Sequence, residues 1–125
     1  MVSGRVTAQW DALVQVSLEA TDGRAEVADA AVDTGFTEFL ALPPALIAGL
    51  GLPFAGLADL TLADGSETVL HVFDAIVHWH GQRIQVPAFE AAGTPLIGMK
   101  LLRGSRLAVD VVEDGRVEIR PLEDA

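Results

Sequence analysis

An all-β, barrel-like single domain is predicted for this chain by three observations: strand-period alternation, closely spaced turn signals and a scarcity of helical pattern. Val14, Val16 and Leu18 place apolar side chains at every second position, the period of a strand with one buried face. Asp22-Gly23, Asp64-Gly65, His80-Gly81 and Asp114-Gly115 break the chain into short segments, and such dipeptides suit tight hairpins because they tolerate positive φ. The 125 residues are enough for one core and too few for two independent lobes.

Taken in order, Ala12 to Leu18 reads as a strand and Thr21-Asp22-Gly23 as a turn, with Ala25 to Val32 returning as the partner strand. After a loop at Asp33-Thr34-Gly35, Phe36 to Leu42 reads as another strand. Pro43-Pro44 then opens a short helix from Pro44 to Leu50, stopped by Gly49 or Gly51, since proline fits a first helical turn and glycine fits the end. Leu57 to Leu62 and Thr68 to Trp79 form a long hairpin across Ala63-Asp64-Gly65-Ser66. His80-Gly81-Gln82 turns into Arg83 to Phe89, and Pro95-Leu96-Ile97-Gly98 leads to a helical turn at Met99 to Leu102. Arg106 to Val112 and Arg116 to Leu122 close the chain as a C-terminal hairpin spanning 105–122.

Composition narrows the function. With 8 basic against 18 acidic residues, for a net charge of -10, a nucleic-acid backbone or an anionic membrane surface is a poor partner. The chain has no cysteine, which excludes disulfides, thiolate metal sites and thiol nucleophiles. Gln9 and Asp11 interrupt the start early, so no secretory leader is expected and the cytoplasm is the expected location. Phe39 to Ala58 carries no charge, but its prolines and glycines break a continuous membrane-spanning helix.

Asp33-Thr34-Gly35, entered from Ala30-Ala31-Val32, is the principal candidate for chemistry. A chance Asp-Thr-Gly is expected in roughly one chain in forty of this length, from average residue frequencies of about 5 to 7% each. Two such carboxyl groups about 3 Å apart cannot both ionise, so they share a proton, and one activates water while the other protonates the substrate carbonyl. One copy per chain means that the second carboxylate comes from a second chain. The plainer reading of Asp33 is a turn residue capping its own loop. His78 and His80 lie at strand spacing with His71 or Asp74 across from them, either as an exposed face or as an incomplete zinc site, and no metal is expected. Trp10 and Trp79 read as core or interface anchors, and Glu123 and Asp124 as a solvated tail. No Gly-x-Ser-x-Gly elbow accompanies the serines.

From Ala12 to Leu102 the order of elements resembles the retropepsin-like aspartic proteases, in particular their short bacterial members: a hairpin, Asp33-Thr34-Gly35, the Asp64-Gly65 hairpin, then Leu96-Ile97-Gly98 and Met99 to Leu102. The resemblance implies a closed β-barrel and a homodimer that hydrolyses peptide or protein substrates without a cofactor. It implies that Asp33 holds the lytic water, that Thr34 braces the paired loops, and that Gly35 lets the backbone pass close to the dyad. By the same resemblance Leu96, Ile97 and Gly98 form the loop through which the active-site loop packs, and Ala63, Asp64, Gly65 and Ser66 tip the flap over bound peptide.

The chain departs from the viral members of that family at several points. Phe36 stands where they have a small residue, and its ring either narrows a pocket or packs inward. Met99-Lys100 replaces the bracing residue that follows their glycine, the flap has one glycine, and the chain continues past the helix as an extra hairpin. Two other classes stay open at this stage: a non-catalytic peptide-binding module on the same fold, and a structural interaction domain in which Asp33 is only a turn residue.

Overall fold

The computed structural model describes residues 1–62 and 64–123. Its strands are β1 (Val2–Val6), β2 (Ala12–Glu19), β3 (Ala25–Val32), β4 (Leu40–Leu42), β5 (Phe54–Thr61), β6 (Glu67–Trp79), β7 (Gln82–Glu90), β8 (Leu96–Ile97), β9 (Ser105–Val109) and β10 (Arg116–Pro121). The helices are α1 (Pro44–Leu50) and α2 (Met99–Leu102). All the strands share one mostly antiparallel sheet in the order β5-β6-β7-β4-β8-β3-β2-β1-β10-β9. A further pairing of β2 with β6, at Ser17↔His78 and Leu18↔Val77, makes the series from β2 through β3, β8, β4, β7 and β6 cyclic. Leu18, Val77, Leu40, Leu42, Val86 and Ile97 on these strands are buried together with Trp79 and with Ile47 and Leu50 of α1.

Four expectations need correction. Phe36 to Phe39 is not strand: β4 begins at Leu40, because the preceding residues turn back to bond Gly98 and Met99. The N-terminal segment, in which no strand was expected, forms β1 between β2 and β10. β9 ends at Val109, and Val111 and Val112 are exposed in the following turn. His78 and His80 do not share a face, because His80 takes φ 49° and, with Gly81 at φ 78°, forms the β6–β7 turn. α1 stops at Gly51 rather than Gly49, with φ 68° in the left-handed region that glycine tolerates. Trp79 is a core residue, whereas Trp10 is 60% exposed. Of the tail, Glu123 is exposed and Asp124 lies outside the described residues. Among the described residues, no helix is long and apolar enough to cross a membrane.

The β2–β6 closure carries an ion cluster. Glu19 Oε2 accepts hydrogen bonds from Arg83 Nε and His78 Nε2, the latter at 2.7 Å, and Arg83 adds a second bond to Oε1 at 3.0 Å. The Arg83 and His78 bonds hold the Glu19 carboxyl down from 4.5 to about 2. A depressed carboxyl contributes stability that is complete above its unfolded pKa and is lost as pH falls through the folded one. Thermal melts should therefore show wild type losing its advantage over Glu19→Gln as pH falls from about 4.5 toward 2. Parallel melting curves for the two proteins across that window would refute a closing role.

Candidate active site

The Asp33 loop is built by a three-strand crossing. β8 lies between β3 and β4, parallel to β3 at Ala31↔Leu96 and Val32↔Ile97, and antiparallel to β4 at Leu40↔Ile97 and Ala41↔Leu96. β3 and β4 are consecutive in the chain, so the segment joining them must loop around the end of β8. Residues 33–39 make that loop, and Leu96-Ile97-Gly98 passes through it. The Asp33 N–H donates to the Ile97 carbonyl at 2.9 Å, the Gly98 N–H to Phe39 at 3.0 Å and the Met99 N–H to Phe36 at 2.8 Å.

Asp33 is half-buried. Its Oδ1 accepts the Gly35 N–H at 3.0 Å and its carbonyl accepts the Phe36 N–H at 3.1 Å. These are the bonds of a turn-capping aspartate, and they also fix where the carboxylate points. A Cβ on Gly35 would stand 3.3 Å from Asp33 Oδ1, so the glycine keeps the space beside that oxygen open. Phe36 packs inward, its ring 6.3 Å from that of Phe89 at an edge-to-face 88°, and covers Gly98. Lys100 Nζ pairs with both oxygens of Glu38 at 3.2 and 3.1 Å, an ion pair made within one chain.

Thr34 is exposed. Together with Thr37, Met99, Leu102, Ser105 and Leu107 it lines an open, mainly apolar cleft of about 440 Å³. Sequence reasoning missed Thr37, Ser105 and Leu107 as neighbours of the loop, and no local pattern marks them; only the return of β9 past α2 brings them there. His80 Nε2 bonds Ser105 Oγ at 2.8 Å, while its Nδ1 is buried with no hydrogen-bond partner. Burial, followed by the N-terminal charge, pushes the His80 imidazole below its ordinary pKa, so His80 ties the β6–β7 turn to β9 as a neutral ring.

Of the flap residues, Ala63 lies outside the described residues. Asp64 Oδ1 accepts from the Ser66 N–H and hydroxyl, which lowers its pKa. Gly65 takes φ 85°, and its N–H donates to the Leu62 carbonyl at 2.9 Å. The tip is thus cross-braced. Register places Ala58, Leu60, Leu70 and Val72 on one half-buried face of the hairpin and Leu57, Val69 and His71 on the exposed one. No hydrogen bond among the described residues joins this tip to the Asp33 loop. The Asp33 and Leu96 segments are therefore brought together, and the flap is a separate projecting arm.

His71 pairs with Glu90 at 3.6 Å and His78 with Glu19, and among the described residues no three His, Asp or Glu side chains converge as metal ligands. A comparison with protein-family models finds no match for this chain, and a search of curated proteins finds no significant relative.

Proposed function

We propose that the chain is a retropepsin-like aspartic endopeptidase, a closed-barrel protomer that is active as a homodimer with one Asp33 from each copy. The observation that carries this reading is the interlock of Asp33-Thr34-Gly35 with Leu96-Ile97-Gly98, sealed by the Asp33 N–H to Ile97 bond. Such an interlock gives the carboxylate a rigid mount beside an exposed Thr34. The cyclic pairing through β2 and β6 supports the barrel. In the dimer the two-fold axis passes between the carboxylates, which share one proton and titrate as a pair. The ionised member takes a proton from water and the protonated one donates to the peptide carbonyl. An extended peptide pairs with strand edges, and the arm tipped by Asp64-Gly65-Ser66 closes over it.

The test is proteolysis of an unfolded protein mixture by wild type and Asp33→Asn at pH 4 to 7, with new termini mapped by mass spectrometry. Cleavage that is lost in the variant, and that rises more steeply than linearly with enzyme concentration, is the expected result. Its absence from wild type at every pH would leave the peptide-binding and structural readings, the second of which is favoured by the carboxylate's bond to its own turn. Each copy carries -10, so repulsion between copies relaxes as carboxylates protonate. Sedimentation should accordingly show tighter dimers at pH 5 than at pH 8, a range in which the Glu19 carboxylate stays ionised; the opposite order would contradict the proposal.

A further inference from the structure

One side of β9 is an open sheet edge, since the sheet order ends there. The Asp110 N–H donates to Arg116 and the Leu122 N–H to Gly104, both at 2.9 Å, on either side of the register from Val109↔Val117 to Ser105↔Pro121. In an antiparallel ladder these bonds turn the even-numbered residues toward β10 and leave the N–H and C=O groups of Ser105, Leu107 and Val109 facing off the sheet. The side chains of Ser105 and Leu107 line the same cleft as Thr34, so the open edge adjoins the candidate catalytic loop.

The charges along this edge form a palindrome. Arg103 and Arg106 precede Ala108 by the same steps by which Glu113 and Asp110 follow it, and among the described residues none of the four takes part in an ion pair. We infer that β9 pairs antiparallel with β9 of a second copy about a two-fold axis at Ala108, completing the Asp33 site from the side of Thr34. This rests on the reading of Asp33 as half of a paired site. In that register Arg106 lies across from the partner's Asp110 twice over, and Leu107 and Val109 exchange the ladder bonds. Centring on Leu107 sets Arg106 against Ala108, and centring on Arg106 sets like charges together, so charge selects a single register. The other edge, β5, has Asp59 and no cation, and self-pairing there gains nothing comparable.

The chain has no cysteine, so Ala108→Cys is a unique probe. Opposed residues at a non-hydrogen-bonded site have Cα atoms about 4.5 Å apart, within disulfide reach. Mild oxidation is expected to give a covalent dimer. Arg106→Glu or Asp110→Arg alone should weaken the dimer about tenfold in sedimentation equilibrium, two cross-strand pairs being reversed. The combined swap Arg106→Asp with Asp110→Arg should recover to within about threefold. Unchanged dimers in both single variants, dimers that resist oxidation at position 108, or a monomer at every concentration would each overturn the interface. Cleavage that still requires Asp33 while these variants dimerise normally would overturn the β9 interface and leave the protease reading standing. A β9 dimer without Asp33-dependent cleavage would do the reverse.

Discussion

Asp33→Asn is expected to lower peptide-bond cleavage at least about 10³-fold, the scale on which a positioned acid or base contributes, with the fold unchanged. Asparagine keeps the size of the side chain, and its Oδ1 can still accept the Gly35 N–H held at 3.0 Å. What it loses is the proton that the proposed pair would share. Its melting temperature should stay close to wild type, as for a substitution that breaks no buried contact. The sharper consequence comes from mixing. If each site uses one carboxylate per copy, a dimer with one asparagine is as inactive as a dimer with two. Activity in mixtures re-equilibrated at constant total protein should then fall as the square of the wild-type fraction, to about one quarter in an equal mixture. A linear fall would mean that each copy works alone and would end the shared-site proposal.

Gly98→Ala should be the substitution most damaging to the Asp33 loop. Gly98 has an ordinary φ of -100°, so the requirement there is for space. A Cβ would overlap the Glu38 carbonyl oxygen and stand 2.7 Å from both the ring and the carbonyl of Phe36. The Glu38 carbonyl is not free to retreat, because it accepts the Lys100 N–H at 3.3 Å, and the Phe36 ring is backed by Phe89. Overpacking at a site that cannot yield costs about 3 kcal/mol, which in a chain of this size lowers the melting temperature by about 10 °C. Gly49→Ala is the matched control: it sits in α1 with nothing within 4 Å of the added Cβ, and should be neutral or stabilising by up to about 1 kcal/mol. Equal melting shifts for the two variants would refute the interlock.

The parts of this fold that were legible in the sequence are those written locally. Pro43-Pro44 announced α1 and the Asp-Gly pairs announced their hairpins, whereas Leu96-Ile97-Gly98 was singled out as a partner for the Asp33 loop only by the resemblance to the retropepsin-like order of elements. β1 was hidden because Val2-Ser3-Gly4-Arg5-Val6 has little apolar content and owes its strand form to β2 and β10. Phe36 to Leu42 looked like one strand because apolar Phe36 and Phe39 to Leu42 flank Thr37 and Glu38, yet its first half spends its backbone bonds on Gly98 and Met99. Val111 and Val112 misled in the opposite sense, being apolar and exposed. At the candidate site the Asp33-Thr34-Gly35 motif stood out, but the neighbours Thr37, Ser105 and Leu107 that line its cleft depend on where β9 returns. The palindrome around Ala108 was equally present in the sequence and had no meaning until β9 proved to be an edge.

β1 also sets an order of assembly. It precedes every other strand of the described chain, yet one of its neighbours is β10, with Val2 opposite Ile119. During translation that side of β1 must wait, unpaired, until almost all of the described chain has been made. Contacts this distant in sequence form late, because their loop-closure entropy has to be met first. β9 joins the sheet only through β10, so a nascent chain has no β9 edge to offer a neighbour on the same messenger until its own sheet is nearly complete. In the proposed β9 dimer, chains emerging close together would thereby be kept from pairing before each has folded.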